Sequence, residues 1–173
     1  MPDPADAQTF RPMAAADFPM MTAWLAQPHV KAFYQPKPIN LEEVCAHYGP
    51  RLAEGWPTRC HIAESGGRPF AYLQCYRNVD WPEWAAEIDT SDGLSIDLYI
   101  GEPAFVGRGY GQAMLRAYVR DVVFPRWPQE LLCYIAHAVA NTRALACSRA
   151  VGFRDVGGFD EDGVAMRLLV LER

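Results

Sequence analysis

The chain has 173 residues, 50% hydrophobic and 21% charged, a globular composition that excludes a disordered or fibrous chain. Sixteen Lys and Arg against 21 Asp and Glu leave a net charge of −5, which argues against docking on nucleic acid or an anionic membrane and suits a cationic partner. The five cysteines (Cys45, Cys60, Cys75, Cys133 and Cys147) form no C-x-x-C pair, so neither a disulfide framework nor structural zinc is signalled, and indifferent thiols in a reducing compartment are expected.

Residues 1–8 read as a loose tail before a single domain over 9–173. Asp3 and Asp6 exclude a signal peptide, and no apolar run approaches about 18 residues, so a cytoplasmic protein is expected. A strand over Thr9–Met13 leads to Asp17, a candidate N-cap for a helix presenting Phe18, Met21 and Leu25. Pro28, Pro36 and Pro38 mark a loop up to Ile39. Asn40 and Glu43 form a capping-box pattern opening a helix with Leu41, Val44, His47 or Tyr48, and Leu52 inward. Strands over Thr58–Ser65 and Pro69–Arg77 flank Gly66-Gly67, a two-residue hairpin signal. In the second strand Phe70, Tyr72, Gln74 and Tyr76 share one face.

Asn78–Gly93 reads as irregular, with Pro82 inside it. Leu94–Ile100 is a strand. After the glycines of 107–111 comes a helix with Met114, Leu115, Tyr118, Val119 and Val122 along one face, ended by Phe124–Pro128. Leu131–Ala136 is a strand, Asn141–Ala150 a helix with Gly152 as its C′ residue, and Val164–Leu171 a last strand after an Asp-Glu-Asp-Gly turn. This order predicts an α/β (α+β) fold with a mixed sheet flanked by helices.

Val106-Gly107-Arg108-Gly109-Tyr110-Gly111 lies between a strand and an amphipathic helix. Glycine lets the backbone approach a ligand closely, and a helix N-terminus offers free N–H groups, a combination that suits a pyrophosphate. A packed strand–helix junction needs glycine too. The spacing is not G-x-G-x-x-G, and no G-K-[ST] follows, so neither a dinucleotide fingerprint nor a P-loop is present. Further on, Asn141-Thr-Arg-Ala144 opens a helix that Arg149-Ala-Val-Gly152-Phe153 closes.

Together these segments resemble the GCN5-related N-acetyltransferases (GNAT), whose acetyl-CoA turn reads Q/R-x-x-G-x-G/A and whose later helix reads N-x-x-A…GF. The predicted elements fit that family from about residue 9 to 171, which implies a mostly antiparallel central sheet. Ile96–Ile100, the Tyr72–Tyr76 strand and the Asp-Trp segment resemble the aminoglycoside 6'-N-acetyltransferases of antibiotic resistance. Relatives in that branch acylate hydroxylamines or amino-acid side chains in siderophore assembly, which would favour an Arg or Lys near the site to recognise a carboxylate.

The resemblance implies that backbone groups of Tyr99 and Ile100 meet the pantetheine arm. It implies that Val106, Gly107, Arg108, Gly109, Tyr110 and Gly111 wrap the pyrophosphate, and that Asn141 bonds the arm near the thioester. Three positions depart from the family. Val106 stands where Gln or Arg is common, which leaves the pyrophosphate to backbone amides and Arg108. Ser148 stands where a Tyr often protonates the leaving thiolate. Ala136-His137 stands where aminoglycoside enzymes carry an acid. A thiol pKa of about 8.5 makes thiolate a tolerable leaving group, so Ser148 acting through water, or Tyr110, could replace the acid; a non-catalytic CoA-binding module is the alternative.

Between Asn78 and Gly107 the acids Asp80, Glu83, Glu87, Asp89, Asp92, Asp97 and Glu102 stand without Lys or Arg. They read either as a solvated acidic loop or as a cation subsite, with Asp80, Trp81, Trp84 and Tyr76 as the substrate-binding set. Asp97 sits inside an apolar strand and needs a partner. An alkyl amine of pKa about 10 must lose a proton before it attacks a thioester, and a nearby carboxylate can take it. Asp97 is the candidate base; a strand Asp capping a neighbouring loop is the other reading. His29, His47 and His61 read as surface or packing residues, His137 lies near the expected thioester, and Cys147 reads as core. No metal site is spaced for ligation. The partner expected is a small-molecule amine, with acetyl-CoA as cosubstrate and the chain a monomer or homodimer.

Overall fold

Gly66 and Gly67 both hold positive φ, 57° and 75°, the turn that the twist of a two-residue hairpin requires. It joins β2 (Arg59–Ser65) to β3 (Arg68–Arg77). The computed structural model describes Met1, Asp3 and residues 7–173; Asp6 lies outside the described residues. The other strands are β1 (Gln8–Pro12), β4 (Leu94–Ile100), β5 (Leu132–Ala138), β6 (Arg154–Glu161) and β7 (Val164–Glu172). They form one seven-stranded sheet in the order β1-β2-β3-β4-β5-β7-β6. The pairs β1–β2, β5–β7 and β6–β7 are antiparallel and β4–β5 is parallel, the expected mixed α/β architecture. Gln8 already belongs to β1, so pairing begins inside the stretch read as a tail.

The helices are α1 (Phe18–Leu25), α2 (Pro28–Lys31), α3 (Leu41–Tyr48), α4 (Pro82–Glu87), α5 (Tyr110–Tyr118), α6 (Phe124–Arg126) and α7 (Thr142–Val151). The α3 capping box forms in full: Glu43 N–H donates to Asn40 Oδ1 at 2.9 Å and Asn40 N–H to Glu43 Oε2 at 2.7 Å. Val44 and Tyr48 point inward from it, whereas Leu41, in its first turn, is exposed; Leu52 is exposed because α3 ends at Tyr48 and a 3-10 turn over Gly49–Leu52 rotates the later residues out. Gly152 takes φ 114° after α7, the left-handed helix end expected there.

Several sequence expectations fail for identifiable reasons. Pro28 and Pro82 open α2 and α4 instead of marking irregular chain, since proline is favoured at the first helical position, where its missing N–H is not needed. Asp17 does not cap α1. Its carboxylate takes two bonds from Arg11, at 2.7 and 2.8 Å, and one from Ala14 N–H at 2.8 Å; burial alone would raise its pKa, but these donors hold it low. The helix after the glycines passes into a π-turn over Val119–Val123, where Phe124 N–H reaches back to Val119 O. Pro125 has no N–H to continue an α ladder, and the extra residue per turn buries Val123 in place of Val122. The strand β6 carries two glycines and four charged residues and no hydrophobic alternation; its pairing with β7, bulged between Asp155 and Gly157, makes it a strand.

The chain divides into two compact units, Met1–Gln74 with Leu98–Gly111, and Cys75–Asp97 with Gln112–Arg173. The first has a core of Met13, Phe18, Met21, Trp24, Tyr72 and Tyr99 with neighbouring aliphatics. The second buries Met114, Leu115, Tyr118, Cys133, Ile135 and Leu169.

Gly101, in the first unit, lies under the Trp24 ring: a Cβ there would sit 2.1 Å from Trp24 Cγ and 2.2 Å from Cδ2. Gly101→Ala is therefore expected to destabilise the fold by roughly 1–3 kcal/mol, the cost of overpacking a filled core. Denaturant unfolding measures it, and an unchanged midpoint would contradict the packing.

Candidate functional site

In the first unit, β4 ends in a fixed geometry. Gly101 and Glu102 N–H groups both donate to Phe70 O, at 2.9 and 3.1 Å. His29 Nε2 lies 2.8 Å from Ile100 O, so that nitrogen carries the hydrogen. His29, read as a packing residue, therefore engages the backbone carbonyl of a residue expected to face the pantetheine arm. Tyr99 is buried, its ring stacked at 5.4 Å on Tyr72 and 4.6 Å from Tyr34. Its side chain belongs to the core, which leaves its backbone for the role the resemblance implies.

The glycine turn comes next along the chain. Gly107 and Gly109 hold φ 74° and 88°, and Gly107, Arg108 and Gly109 are exposed. A Cβ on Gly107 would meet nothing within 4 Å. That glycine is required by its backbone angle and not by packing, the conformation a turn needs to present amides outward. Tyr110 turns inward, 1% exposed, its ring 4.6 Å from Phe105 and 5.9 Å from Phe70. A core tyrosine there does not serve as a replacement acid, which corrects that expectation for Tyr110. Val106 is half-buried, and Gly111 lies in the first turn of α5.

In the second unit, the parallel pairing of β4 with β5 sets Leu94 beside Cys133 and Ser95 beside Tyr134. Both strands run on past it, β4 with the half-buried Asp97 and β5 with His137. Asn141 caps α7, its Oδ1 accepting from Ala144 N–H at 3.2 Å; the side-chain NH₂ is the group it can offer a ligand. Ser148 is 1% exposed and its Oγ lies 2.8 Å from His137 Nε2. Burial lowers the His137 pKa to about 4, so the ring is neutral at pH 7. Two of the residues that depart from the family pattern thus bond each other.

The acidic segment separates into distinct roles. Asp80 is held by Arg77 through both oxygens, at 2.8 and 2.9 Å. Arg77 stands one residue before the stretch that lacks cations, and Asp80 is corrected from free cation subsite to ion-paired turn residue. Trp84 Nε1–H donates to Ser95 Oγ at 2.9 Å, and Ser95 donates to Asn78 Oδ1 at 2.6 Å. With Phe159 against its ring at 5.8 Å, Trp84, expected in the substrate-binding set, holds the segment in place. Trp81 packs edge-on against Tyr76 at 6.2 Å, and Tyr76 is buried. Asp97 has company that the sequence did not suggest: burial, and then the charges of Glu87, Asp97 and Asp162, push the Glu161 pKa up. Glu161 ends β6, and with that strand unrecognised nothing in the sequence brought it to Asp97. Among the described residues no cluster of His, Cys, Asp and Glu could hold a metal ion, and no helix is long and apolar enough to cross a membrane.

Residues 13–161 match the acetyltransferase (GNAT) domain family. Among solved structures, AAC(6')-Ib in complex with paromomycin and acetyl-CoA superposes with TM-score 0.86 at 24% identity, over 97% of this chain and 94% of that one. An aminoglycoside N(6')acetyltransferase from Legionella pneumophila gives TM-score 0.73 at 19% identity, over 96% and 92%. A spermidine N-acetyltransferase SpeG chimera from Vibrio cholerae and hSSAT gives 0.73 at 14%, over 95% of each chain. No curated protein matches the sequence. At these identities the structural likeness is one of fold.

The buried histidines predict an acid-labile fold. Burial, aided at His61 by the Arg59 charge, lowers His61 and His137 to about 4 from an ordinary 6.5. The unfolded chain takes up these protons below pH 6.5 and the folded one does not. Their contribution is therefore whole above pH 6.5 and lost as pH falls toward 4, by at most about 3 kcal/mol for each ring. Unfolding free energies of wild type, His61→Gln and His137→Gln across pH 7 to 4.5 check this. Each variant should flatten the slope, and a slope unaltered in both would contradict the neutral rings.

Proposed function

Because the chain belongs to the GNAT acetyltransferase family, we propose that it transfers acetyl from acetyl-CoA directly to a primary amine of a small acceptor, the chemistry of the aminoglycoside 6'-N-acetyltransferases whose fold it shares. The observation that carries this reading is the match to the acetyltransferase family together with an exposed turn in which Gly107 and Gly109 hold left-handed angles; on the acceptor side, burial and then the charges of Glu87, Asp97 and Asp162 push the Glu161 pKa up. Carboxylates that oppose one another's ionisation are relieved by an arriving ammonium, so the group attracts a cationic amine.

Asp97 is the base: it binds the ammonium and takes its proton, directly or through one water, freeing the nitrogen lone pair. The amine nitrogen then bonds the acetyl carbon as the carbon–sulfur bond breaks. The sulfur leaves as a thiolate and takes its proton from water, with the Ser148 hydroxyl, held 2.8 Å from His137 Nε2, placed to orient that water. Burial keeps His137 neutral at pH 7, which suits it to hold the Ser148 hydroxyl without adding a charge. On the cofactor side, amides of the Gly107–Gly111 turn and Arg108 receive the pyrophosphate, backbone groups of Tyr99 and Ile100 align the arm, and the Asn141 NH₂ bonds it near the thioester. The exposure of the turn and its two left-handed glycines support that placement. The pairing of Asp80 with Arg77, and a neutral His137 where aminoglycoside enzymes carry an acid, favour an acceptor with fewer positive groups than an aminoglycoside.

Asp97→Asn keeps the shape and removes the base. Its kcat/KM for amine is expected to fall roughly 10²–10⁴-fold, with the KM for acetyl-CoA nearly unchanged and partial rescue at high pH, where more of the amine is already neutral. Intact turnover per folded molecule, without pH dependence, would move the base elsewhere. Gly109→Asp puts a side chain and a negative charge where phosphate oxygens must approach, at a backbone angle that disfavours any side chain. The KM for acetyl-CoA should rise at least about tenfold, since a like charge at such contact costs on the order of 1 kcal/mol or more; unaltered cofactor binding would displace the pyrophosphate from this turn.

A further inference from the structure

The second unit holds a cavity that the acetyl-transfer reading does not use. It has a volume of about 400 Å³ and opens where the C-terminal ends of α5, α7 and β7 meet. That size falls among small-molecule sites, which run from roughly 300 to 1,000 Å³. Val119, Phe124, Val151 and Leu171 give it an apolar floor. Val119 and Phe124 are both buried and are joined across the π-turn by the Phe124 N–H bond to Val119 O, and π-turns are rare features that recur at functional sites. The 10 residues of α7, a length of about 15 Å, separate Val151 from Asn141. The cavity therefore stands apart from the place expected for the thioester.

Arg116, Arg120 and Arg173 stand round that floor. Arg120 is closed off by its neighbour Asp121, which accepts from Nε and Nη2 at 2.6 Å each. The other two are anchored to backbone instead. Arg116 Nη2 donates to Ala150 O at 3.2 Å, and Arg173 Nη1 donates to Pro128 O at 3.0 Å with its guanidinium 5.7 Å from the centre of the Phe124 ring. Among the described residues neither has a carboxylate partner. Glu172 also lines the cavity, but strand alternation directs its side chain to the opposite face of β7 from Leu171. Acids outnumber Lys and Arg by 21 to 16 in this chain, so two uncompensated cations over one apolar cavity run against its composition.

We infer that this cavity binds a small amphipathic anion, a carboxylate on a hydrocarbon body, with Arg116 and Arg173 taking the head and the Val119, Phe124, Val151 and Leu171 floor taking the body. A planar guanidinium matches a carboxylate with two parallel N–H bonds. The backbone bond of each arginine uses one N–H and leaves other donors for a ligand. Both side chains are already held, so a ligand does not have to order them. Head and body are needed together. A head alone meets two water-screened cations, whose attraction is small, and a body alone leaves those cations without a counter-charge. The inference does not depend on the acetyltransferase reading.

Calorimetric titration of the full chain with octanoate, octanol and acetate tests it. Octanoate is expected to bind saturably, at least about tenfold more tightly than octanol, which lacks the charge, or acetate, which lacks the body; one charge-assisted contact is worth about that factor. Arg116→Gln and Arg173→Gln should each weaken octanoate about tenfold. Both side chains are exposed, circular dichroism and melting temperature establish that each variant is folded, and Arg116→Lys serves if a glutamine variant is not. Octanoate that fails to saturate, that binds no better than octanol or acetate, or that binds both glutamine variants as tightly as wild type overturns the site. Octyl phosphate binding more than about tenfold more tightly than octanoate overturns the carboxylate head. The Kd for acetyl-CoA should be unaltered in Arg116→Gln, and a tenfold rise would assign the arginine to a cofactor phosphate and overturn the inference. A wild type that binds octanoate as expected but not acetyl-CoA supports this site while the acetyltransferase reading fails.

Discussion

The proposed cofactor side of this protein is built outward from the end of β4. Gly101 can lie against the Trp24 ring only because it has no Cβ. That contact, two N–H groups converging on Phe70 O, and the His29 bond to Ile100 O stop the strand at one place. The later segments inherit this geometry: the glycine turn begins from a fixed point, and Tyr110 then anchors α5 through Phe70 and Phe105. A flexible turn built from Gly107 and Gly109 can present its amides reproducibly because both of its ends are buried. Rigid ends and a permissive middle are the arrangement expected for a loop that must fit around a phosphate group.

On the proposed acceptor side, the placement of charge governs. Arg77 and Asp80 form an ion pair, and elsewhere Arg11 bridges Asp17 and Glu64. Glu161 differs: burial, and then the charges of Glu87, Asp97 and Asp162, push its pKa up. Carboxylates that oppose one another's ionisation cost stability in the free protein and are relieved by a cationic ligand.

The Ser148–His137 bond shows how two departures from a family pattern can be one change. Taken singly, each looks like the loss of a functional group, a phenol in one case and an acid in the other. Taken together they are a hydroxyl and a neutral imidazole that share a hydrogen bond at 2.8 Å. Residue-by-residue comparison cannot show this, because positions 137 and 148 meet only when β5 and α7 are packed.

The features legible in the sequence were those whose cause is local. The Asn40 capping box, the Gly66-Gly67 turn, β4 and the Gly152 helix end were all read at or near their observed positions, because each depends on residues within a few places of one another along the chain. The glycine turn and the Asn141 helix start were legible for the same reason, and with them the family. Proline was misread at 28 and 82, since its effect depends on whether the chain before it or after it becomes helical. The rest was decided by contacts between distant segments. The pairing of β6 with β7 made a strand of a charged, glycine-containing segment and carried Glu161 to Asp97. Arg77 neutralised Asp80, the Ser95 hydroxyl took the indole of Trp84, and Tyr72 and Gln74 received Arg51 from another part of the chain. Neighbouring residues were enough to set the backbone angles and helix ends. Which charges were compensated was settled by folding alone, because a charge acts through space on whatever the fold brings within a few ångströms of it.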